Sequence, residues 1–180
     1  RVNGAVGLDF RRHMNEIRSI DPDDRTATVQ AGTIVGTLND ALAPHDLKFA
    51  PDPAWRDKSA IGGAIGNNST GAHSLKYGKT DAYIEEVEAV LADGTVTRFG
   101  EVTRAELSER AAPDGDLEGR IYAEVERILE EDATLIDETY PDLKRNVSGY
   151  NLDRLVAEAR GDELPGGEET GEPGTVNLAR

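Results

Sequence analysis

One segment of the chain, free of carboxylates, most constrains what it can fold into. The segment IGGAIGNNSTGAHSLKYGKT, from Ile61 to Thr80, contains five glycines and no acidic residue, although the 180-residue chain carries 35 of them. Glycine lets a backbone approach another molecule closely, because no Cβ intervenes. Converging backbone N–H groups and neutral polar side chains suit an anionic ligand, which a carboxylate would repel. The segment therefore predicts a cradle for an anionic cofactor.

Neither of two common phosphate-binding fingerprints is present in this segment. It lacks the Gly-Lys-Ser/Thr ending of a P-loop and the G-x-G-x-x-G spacing of a Rossmann turn. From spacing alone, a surface loop with tight turns explains the glycines as well as a cofactor site does.

The charge of the chain restricts its partners. A net charge of −15, with 15 arginines and only 5 lysines, favours a surface adapted to high salt, where cations screen the repulsion. An ordinary acidic cytoplasmic protein is the alternative. Nucleic acid is a poor partner because no basic patch offsets the repulsive field. No apolar run approaches the length of an integral membrane segment.

The chain contains no cysteine, which excludes disulfides, thiol nucleophiles and Cys-ligated zinc. Its three histidines are scattered, and no H-x-x-x-H or paired-carboxylate spacing supports a metal site. We therefore expect no metal.

Alternating and β-rich runs predict the strands. One is expected over Ala5–Phe10 and one over Arg25–Gly32, which ends at its glycine. Two more flank Asp93 and Gly94, which are expected to form a two-residue hairpin turn.

Helical spacing and capping residues predict three helices. They are Thr33–Ala43 with Thr33 as the N-cap, a short helix opened by the capping box Thr103–Glu106, and Leu117–Glu131. From Ala157 to Gly174 the chain is acidic and rich in Gly and Pro, which predicts an exposed, mobile loop before order resumes at Thr175. Because strands and helices mix without a βαβ rhythm, the fold class is expected to be α+β.

Several motifs of the chain belong together: PDP, SAIGGAIGNNSTGAHSLKYGKT and VEAVLADGTV, with LDFRRHMNEI, VQAGTIVGTLNDALAPHDLKFAPDP and NVSGYNLDRLV. In this combination and order they resemble the FAD-linked oxidase family, of vanillyl-alcohol oxidase type. The combination is similar to the branch containing glycolate oxidase subunit GlcD and D-lactate dehydrogenase, which acts on D-2-hydroxy acids. The resemblance covers nearly the whole chain apart from the acidic loop.

The resemblance implies FAD as the cofactor and a set of residues along it. Glycines would allow the close approach, polar residues would hydrogen-bond the cofactor, and prolines would fix the loop that enters the site. The implied residues are Pro51, Pro53, Ile61, Gly62, Gly63, Gly66, Asn67, Asn68, Ser69, Gly71, Ala72, His73, Ser74, Tyr77 and Gly78.

The resemblance also implies a partial domain. An earlier pyrophosphate loop of the family and its later GSEGTLG-like element and substrate domain have no counterpart in this sequence. Residues 1–156 would form the second lobe of the FAD-binding domain, mainly an antiparallel sheet flanked by helices. Residues 157–174 would form the acidic loop, and residues 175–180 would begin the next family element. Catalytic residues therefore stay unassigned.

The function implied is oxidation of a lactate- or glycolate-like D-2-hydroxy acid by hydride transfer to FAD, with a separate electron acceptor. The implied enzyme is cytoplasmic, or peripheral at the inner membrane face, and has a partner subunit or forms a homodimer. The 180-residue chain alone would be inactive. Two alternatives remain: a cofactor-binding module without turnover, and a flavoenzyme similar to alkylglycerone-phosphate synthase.

Two aromatic residues, one histidine and one asparagine admit two roles each. His73 either lines the site or is purely structural. Trp55 is expected to pack within its loop, with a place beside the flavin as the alternative. Tyr150 and Asn151 either border the cofactor or belong to the core.

Overall fold

The computed structural model describes residues 4, 6–53, 55–141, 143, 146–164, 170 and 173–180. The contacts between residues divide the chain into unit 1, Arg1–Tyr83, and unit 2, Ile84–Arg180. Each unit combines helices with small antiparallel sheets, which confirms the predicted α+β class.

Unit 1 contains one pair of strands and three α-helices within its described residues. The elements are β1 (Ile17–Asp21), β2 (Thr26–Val29), α1 (Val35–Leu42), α2 (Ile61–Gly66) and α3 (Ser74–Tyr77). Short 3-10 helices cover Phe10–Arg12, Ala43–His45 and Thr80–Tyr83. Strands β1 and β2 are antiparallel, so the strand predicted within Arg25–Gly32 is confirmed.

The core of unit 1 forms on one face of α1. Val35, Leu38 and Leu42 lie three and four residues apart, which places them on one side of a helix. They are buried together with Phe49 and with Ile61, the first residue of α2. This packing anchors the start of the glycine-rich segment to the core.

Thr33 does not cap α1, contrary to the prediction. The N-cap is Ile34, and no side chain caps the helix. The Thr33 hydroxyl instead donates to the carbonyl of Glu16 at 3.2 Å. Thr33 is fully buried, and a buried hydroxyl needs a hydrogen-bond partner wherever one lies.

The strand predicted at Ala5–Phe10 is wrong. Residues 6–9 are irregular, and Phe10 begins a 3-10 helix, while Ala5 lies outside the described residues. Val6 and Leu8 are exposed. A strand needs the donors and acceptors of a neighbouring strand, and none of the described residues pairs with this segment.

Unit 2 contains two antiparallel strand pairs and four α-helices in its described part. The elements are β3 (Val87–Val90), β4 (Val96–Phe99), β5 (Glu101–Thr103), α4 (Arg104–Arg110), α5 (Leu117–Arg127), α6 (Ala133–Thr139), α7 (Leu152–Arg160) and β6 (Thr175–Asn177). A π-helical turn, Ile128–Asp132, joins α5 to α6. The helix predicted at Leu117–Glu131 is therefore confirmed, and helical structure continues to Thr139.

The predicted hairpin is present, but its turn has three residues instead of two. Val90 pairs with Val96, and the Leu91 amide donates to the Thr95 carbonyl at 2.8 Å. The Gly94 amide donates back to Leu91 at 2.9 Å, and Gly94 has a φ of +88°. A turn followed by a left-handed glycine is the usual geometry of a three-residue hairpin loop.

The acidic loop starts later than predicted. Helix α7 continues to Arg160, and Ala157 and Glu158 are buried in it. The Glu158 carboxylate accepts a hydrogen bond from the Asn177 amide at 2.8 Å and pairs with Arg154 at 3.0 Å. A buried charge with such partners belongs to a packed helix. Residues 165–169, 171 and 172 lie outside the described residues.

The predicted return of order at Thr175 is confirmed by β6, which pairs with β5. Val176 of β6 is buried with Val102, Leu107 and Tyr122 in the core of unit 2. None of the helices built from the described residues is long and apolar enough to cross a membrane.

Candidate functional site: an open glycine face in unit 1

Helix α2 forms within the glycine-rich segment because of tertiary contacts. Three of its six residues are glycines, each of which disfavours a helix. Ile61 and Ala64 are buried. The Ile61 amide donates to Thr33 at 2.9 Å and the Gly62 amide donates to Ala31 at 2.8 Å. These first amides of the helix are therefore occupied by the protein and are not available to an anion.

Gly62 and Gly71 are required by packing against the protein itself. A Cβ at Gly62 would lie 2.8 Å from the Ala31 methyl group and 3.0 Å from its carbonyl oxygen. A Cβ at Gly71 would collide with the carbonyl oxygens of Pro51 and Asp52. Both glycines allow two stretches of backbone to approach closely.

Gly63 and Gly66 have no such explanation. Both are exposed, and, apart from its chain neighbours and the backbone of α2 itself, a Cβ at either position would meet no atom of the described residues within 4 Å. They lie three residues apart in α2, so they share one side of the helix, and exposed Asn67 follows one residue later. We refer to Gly63, Gly66 and Asn67 as the glycine face.

The structure places all fifteen predicted site residues within unit 1 but with different exposure. The buried ones are Pro51, Pro53, Ile61 and Ser74. The half-buried ones are Gly62, Asn68, Ser69, Gly71 and Gly78. The exposed ones are Gly63, Gly66, Asn67, Ala72, His73 and Tyr77. The exposed group offers the most accessible side chains and backbone to a ligand.

Asn68 has a structural role that sequence reasoning missed. Its amide nitrogen donates to the Asp81 carboxylate at 2.9 Å, and its amide oxygen accepts from the Asp81 backbone at 3.1 Å. Asn68 also has a left-handed φ of +42°, which Asn tolerates better than most residues. Buried Asp81 and half-buried Asn68 therefore hold the chain that follows the glycine face.

The next residues are held in a similar way. The Thr80 hydroxyl donates to the Ser69 carbonyl at 2.8 Å. The Ser74 hydroxyl accepts from the Gly71 amide at 2.8 Å. Gly78 has a φ of +82°, so a side chain there would be strained.

The Pro51–Pro53 turn lies against Gly71. Pro53 and Gly71 form an isolated antiparallel bridge. Between the prolines, Asp52 has a left-handed φ of +44°, and its carboxylate lies 2.8 Å from Lys48 Nζ and 3.4 Å from His73 Nδ1. The hydrogen bond from Lys48 is the main cause that lowers the pKa of Asp52. In the sequence, the feature that could have drawn attention to Asp52 is its position between two prolines.

The lysines of the segment are less available to a ligand than their positions in the sequence indicate. Lys79 Nζ lies 3.2 Å from the Asp81 carboxylate, and its side chain is only 14% exposed. Lys76 Nζ lies 4.9 Å from the centre of the Tyr77 ring, in cation–π geometry. Among the described residues, no group of three or more His, Asp or Glu could hold a metal ion.

The role expected for Trp55 is wrong, and one of the two roles left open for Tyr150 is excluded. Trp55 is 69% exposed, so it does not pack within its loop; Lys58 Nζ lies 5.4 Å from its ring. Tyr150 in unit 2 is also exposed and does not belong to the core. The packed residues of each unit lie elsewhere, and a place beside the cofactor stays a prediction for both rings.

Residues 1–100 match a family described as FAD binding domain. This match and the relatives below confirm the resemblance to the FAD-linked oxidases, and the chain belongs to that family, with FAD as its cofactor.

Curated relatives extend the match beyond residue 100. D-2-hydroxyglutarate dehydrogenase of Pseudomonas putida is 37% identical over 154 residues, which are 86% of this chain and 15% of that protein. Glycolate oxidase subunit GlcD of Bacillus subtilis is 44% identical over 55% of the chain and 21% of its own length. D-lactate dehydrogenase of Archaeoglobus fulgidus is 40% identical over 45% of the chain and 18% of its own length. The chain thus spans a small part of each relative.

Proposed function

We propose that the glycine face contacts FAD in an oxidoreductase that oxidises a D-2-hydroxy acid by hydride transfer. The observation that carries the proposal is the open space at Gly63 and Gly66. Alanine would stabilise a helix at such positions by about 1 kcal/mol relative to glycine. Stability therefore does not explain these glycines, whereas the close approach of a flat or chain-like ligand does.

The remaining predicted site residues fit FAD in two ways. Asn67 offers an exposed amide, with donors and an acceptor, which suits ribityl hydroxyls or the polar edge of a flavin. The buried Pro51, Pro53 and Ser74 fix the backbone around the exposed residues. When bound, FAD accepts the hydride from the α-carbon of the substrate. The residues of this chain bind and orient it.

The relatives support a preference within the D-2-hydroxy acids. The dehydrogenase from P. putida that is named for D-2-hydroxyglutarate aligns with 86% of the chain, whereas GlcD of B. subtilis aligns with 55%. We therefore place a dicarboxylic D-2-hydroxy acid ahead of lactate and glycolate as the substrate.

We further propose that residues 1–160 are the second lobe of a divided FAD site, followed by the acidic segment 161–174 and by the start of a further element at 175–180. Each charge-assisted hydrogen bond missing from a half site is worth roughly 1.5–3 kcal/mol. Losing two or three weakens binding by several decades, since about 1.4 kcal/mol is tenfold. The 180-residue chain alone is expected to be colourless and inactive.

Anaerobic spectrophotometry tests this function on a longer polypeptide. It adds the pyrophosphate loop of the family before this chain, and the GSEGTLG-like element and substrate domain after it. It should be yellow, and a D-2-hydroxy acid should bleach its flavin, D-2-hydroxyglutarate faster than D-lactate or glycolate. Flavin that binds but is bleached by none of the three would support the cofactor-binding module without turnover. FAD held stoichiometrically by the 180-residue chain would contradict the divided site.

A further inference from the structure

We propose that Asp52 is a positioning residue for the ligand: it holds the Nδ1 side of the His73 imidazole, so that Nε2 is presented outward. The inference rests on the proposed FAD function, and it gives His73 a defined hydrogen-bonding role within that site. Asp52 was not among the site residues that the family resemblance implies.

Asp52 is unusually well fixed for a residue on a turn. It lies between Pro51 and Pro53, both buried, and only 17% of its side chain is exposed. The bridge between Pro53 and Gly71 ties this turn to the backbone two residues before His73. A left-handed non-glycine residue costs free energy that the surrounding structure must compensate. The surroundings therefore hold the carboxylate at one place.

The charges around Asp52 keep it an anion. Lys48 Nζ lies 2.8 Å from Oδ2, and its hydrogen bond is the main cause of the lowered pKa of Asp52, with further contributions from the charges of Lys48 and Arg56. At neutral pH the carboxylate can only accept hydrogen bonds. It faces His73 Nδ1 at 3.4 Å, so it favours the imidazole states that carry a proton on Nδ1.

The other side of the imidazole is open to a ligand. The His73 side chain is 53% exposed, and Nε2 makes no hydrogen bond within the part of the chain that the structure describes. The Tyr77 ring of α3 lies 6.5 Å from the imidazole between centroids. With the proton on Nδ1, neutral imidazole offers Nε2 as an acceptor. A ligand hydroxyl or imide N–H is the matching donor, and FAD contains both.

Imidazole nitrogen chemical shifts of the 180-residue chain test the pairing without FAD. Long-range proton–nitrogen correlation spectra at neutral to mildly alkaline pH distinguish a protonated Nδ1 from a protonated Nε2. We expect wild-type His73 to be in the Nδ1–H tautomer, and Asp52→Asn to shift the population towards Nε2–H. Asn tolerates the left-handed backbone at this position, so the variant should keep the fold. Asp137→Asn is the matched control, because Asp137 pairs with Arg160 at 2.6 Å in unit 2 instead.

Titration of the same proteins with FAD tests the consequence for binding, with the Gly63 and Gly66 amide shifts as the signal even for weak affinity. Asp52→Asn and His73→Asn should each weaken FAD by about three- to tenfold, the worth of one neutral hydrogen bond. His73→Gln, which keeps a polar group near the Nε2 position, should lose less. The Asp52→Asn/His73→Asn double variant should bind about as well as either single variant, because the two residues act as one unit.

The outcomes separate this inference from the proposed function. If the His73 tautomer is unchanged in Asp52→Asn, the positioning role is overturned. The same holds if the wild-type chain binds FAD but the double variant loses the sum of the affinity losses of the two single variants. Either result leaves the proposed function standing. If wild-type amides do not respond to FAD at any concentration, the proposed function fails and the role of Asp52 towards the ligand fails with it. The tautomer spectra then still decide whether Asp52 holds His73.

Discussion

A methyl group at Gly63 would extend into open space, whereas one at Gly62 would collide with Ala31. Gly63→Ala should therefore raise the free energy of unfolding by about 0.5–1 kcal/mol, because alanine is the better helix former. The same substitution should weaken FAD binding in the longer flavoprotein. Thermal melts followed by circular dichroism and FAD titration measure the two effects.

Gly62→Ala is the control for this prediction, since it overpacks the contact with Ala31 and should destabilise the protein by about 1–3 kcal/mol. A Gly63→Ala variant that is more stable and binds FAD as well as wild type would show that the glycine face does not approach the cofactor.

The adjacent Asn67 and Asn68 should respond oppositely to truncation. Asn68→Ala removes both hydrogen bonds to Asp81 and leaves a buried carboxylate with fewer partners, which should cost about 1–3 kcal/mol of stability. Asn67→Ala removes an exposed amide, so stability should change by less than about 0.5 kcal/mol, while FAD affinity falls. Denaturant unfolding and FAD titration of both variants separate the two roles. Equal loss of stability in both would contradict this division.

The sequence could predict which segment forms the candidate site but not the role of each residue in it. Ser74 and Asn68 look like ligand-binding side chains in the sequence, yet Ser74 is buried and Asn68 bonds to Asp81. Such roles depend on contacts with residues distant along the chain. The importance of Asp52 depends on Lys48, His73 and a left-handed backbone, none of which follows from the spacing of one Asp between two prolines.

The capping box of α4 gives a prediction at the scale of one element. The Glu106 amide donates to the Thr103 hydroxyl at 3.2 Å, and the Thr103 amide donates to the Glu106 carboxylate at 2.8 Å. Thr103→Ala should cost about 1 kcal/mol of stability, measured by denaturant unfolding. Thr134→Ala, at an exposed helical position in the same unit, should be nearly neutral. Equal effects would show that the box does not stabilise α4.

The capping box of α4 also makes the stability of the protein depend on pH. The hydrogen bond from the Thr103 backbone is the first cause that lowers the pKa of Glu106 from its usual 4.5. Because the folded-state pKa is the lower one, this contribution is present above about pH 4.5 and is lost as the pH falls through the folded-state value. Glu106→Gln keeps a capping side chain without the titration, so its unfolding free energy should fall less steeply with acid. If the unfolding free energies of the variant and the wild type fall in parallel with pH, this account is contradicted.

Elements with strong local signals could be predicted, and those that depend on distant contacts could not. The capping box, the hairpin around Gly94 and the helix from Leu117 each have a pattern within a few residues. Helix α2 has none, because its glycines disfavour a helix and its first amides bond to Ala31 and Thr33. The strand expected at Ala5–Phe10 has a local pattern of alternating residues, but no strand among the described residues pairs with it, so it does not form.

The net charge of −15 gives a prediction for the whole molecule. Screening weakens the self-repulsion of the folded state, so the melting temperature should rise from low to high potassium chloride concentration. Circular dichroism is the suitable probe, because Trp55 is too exposed to report burial. Sucrose at matched osmolality controls for general exclusion effects. A melting temperature that is flat or falls with salt would contradict adaptation to high salt.

The most direct test of the FAD-binding role is the flavin content of the longer polypeptide carrying Gly63→Val, purified beside Gly7→Val. Both glycines are exposed and have open space around the missing Cβ, but only Gly63 lies in the glycine face. We expect Gly63→Val to fold and to be purified without flavin, because its side chain occupies the space of the cofactor, while Gly7→Val keeps the yellow colour of the wild type. A folded Gly63→Val protein that retains one FAD per chain would contradict the proposal that this face contacts the cofactor.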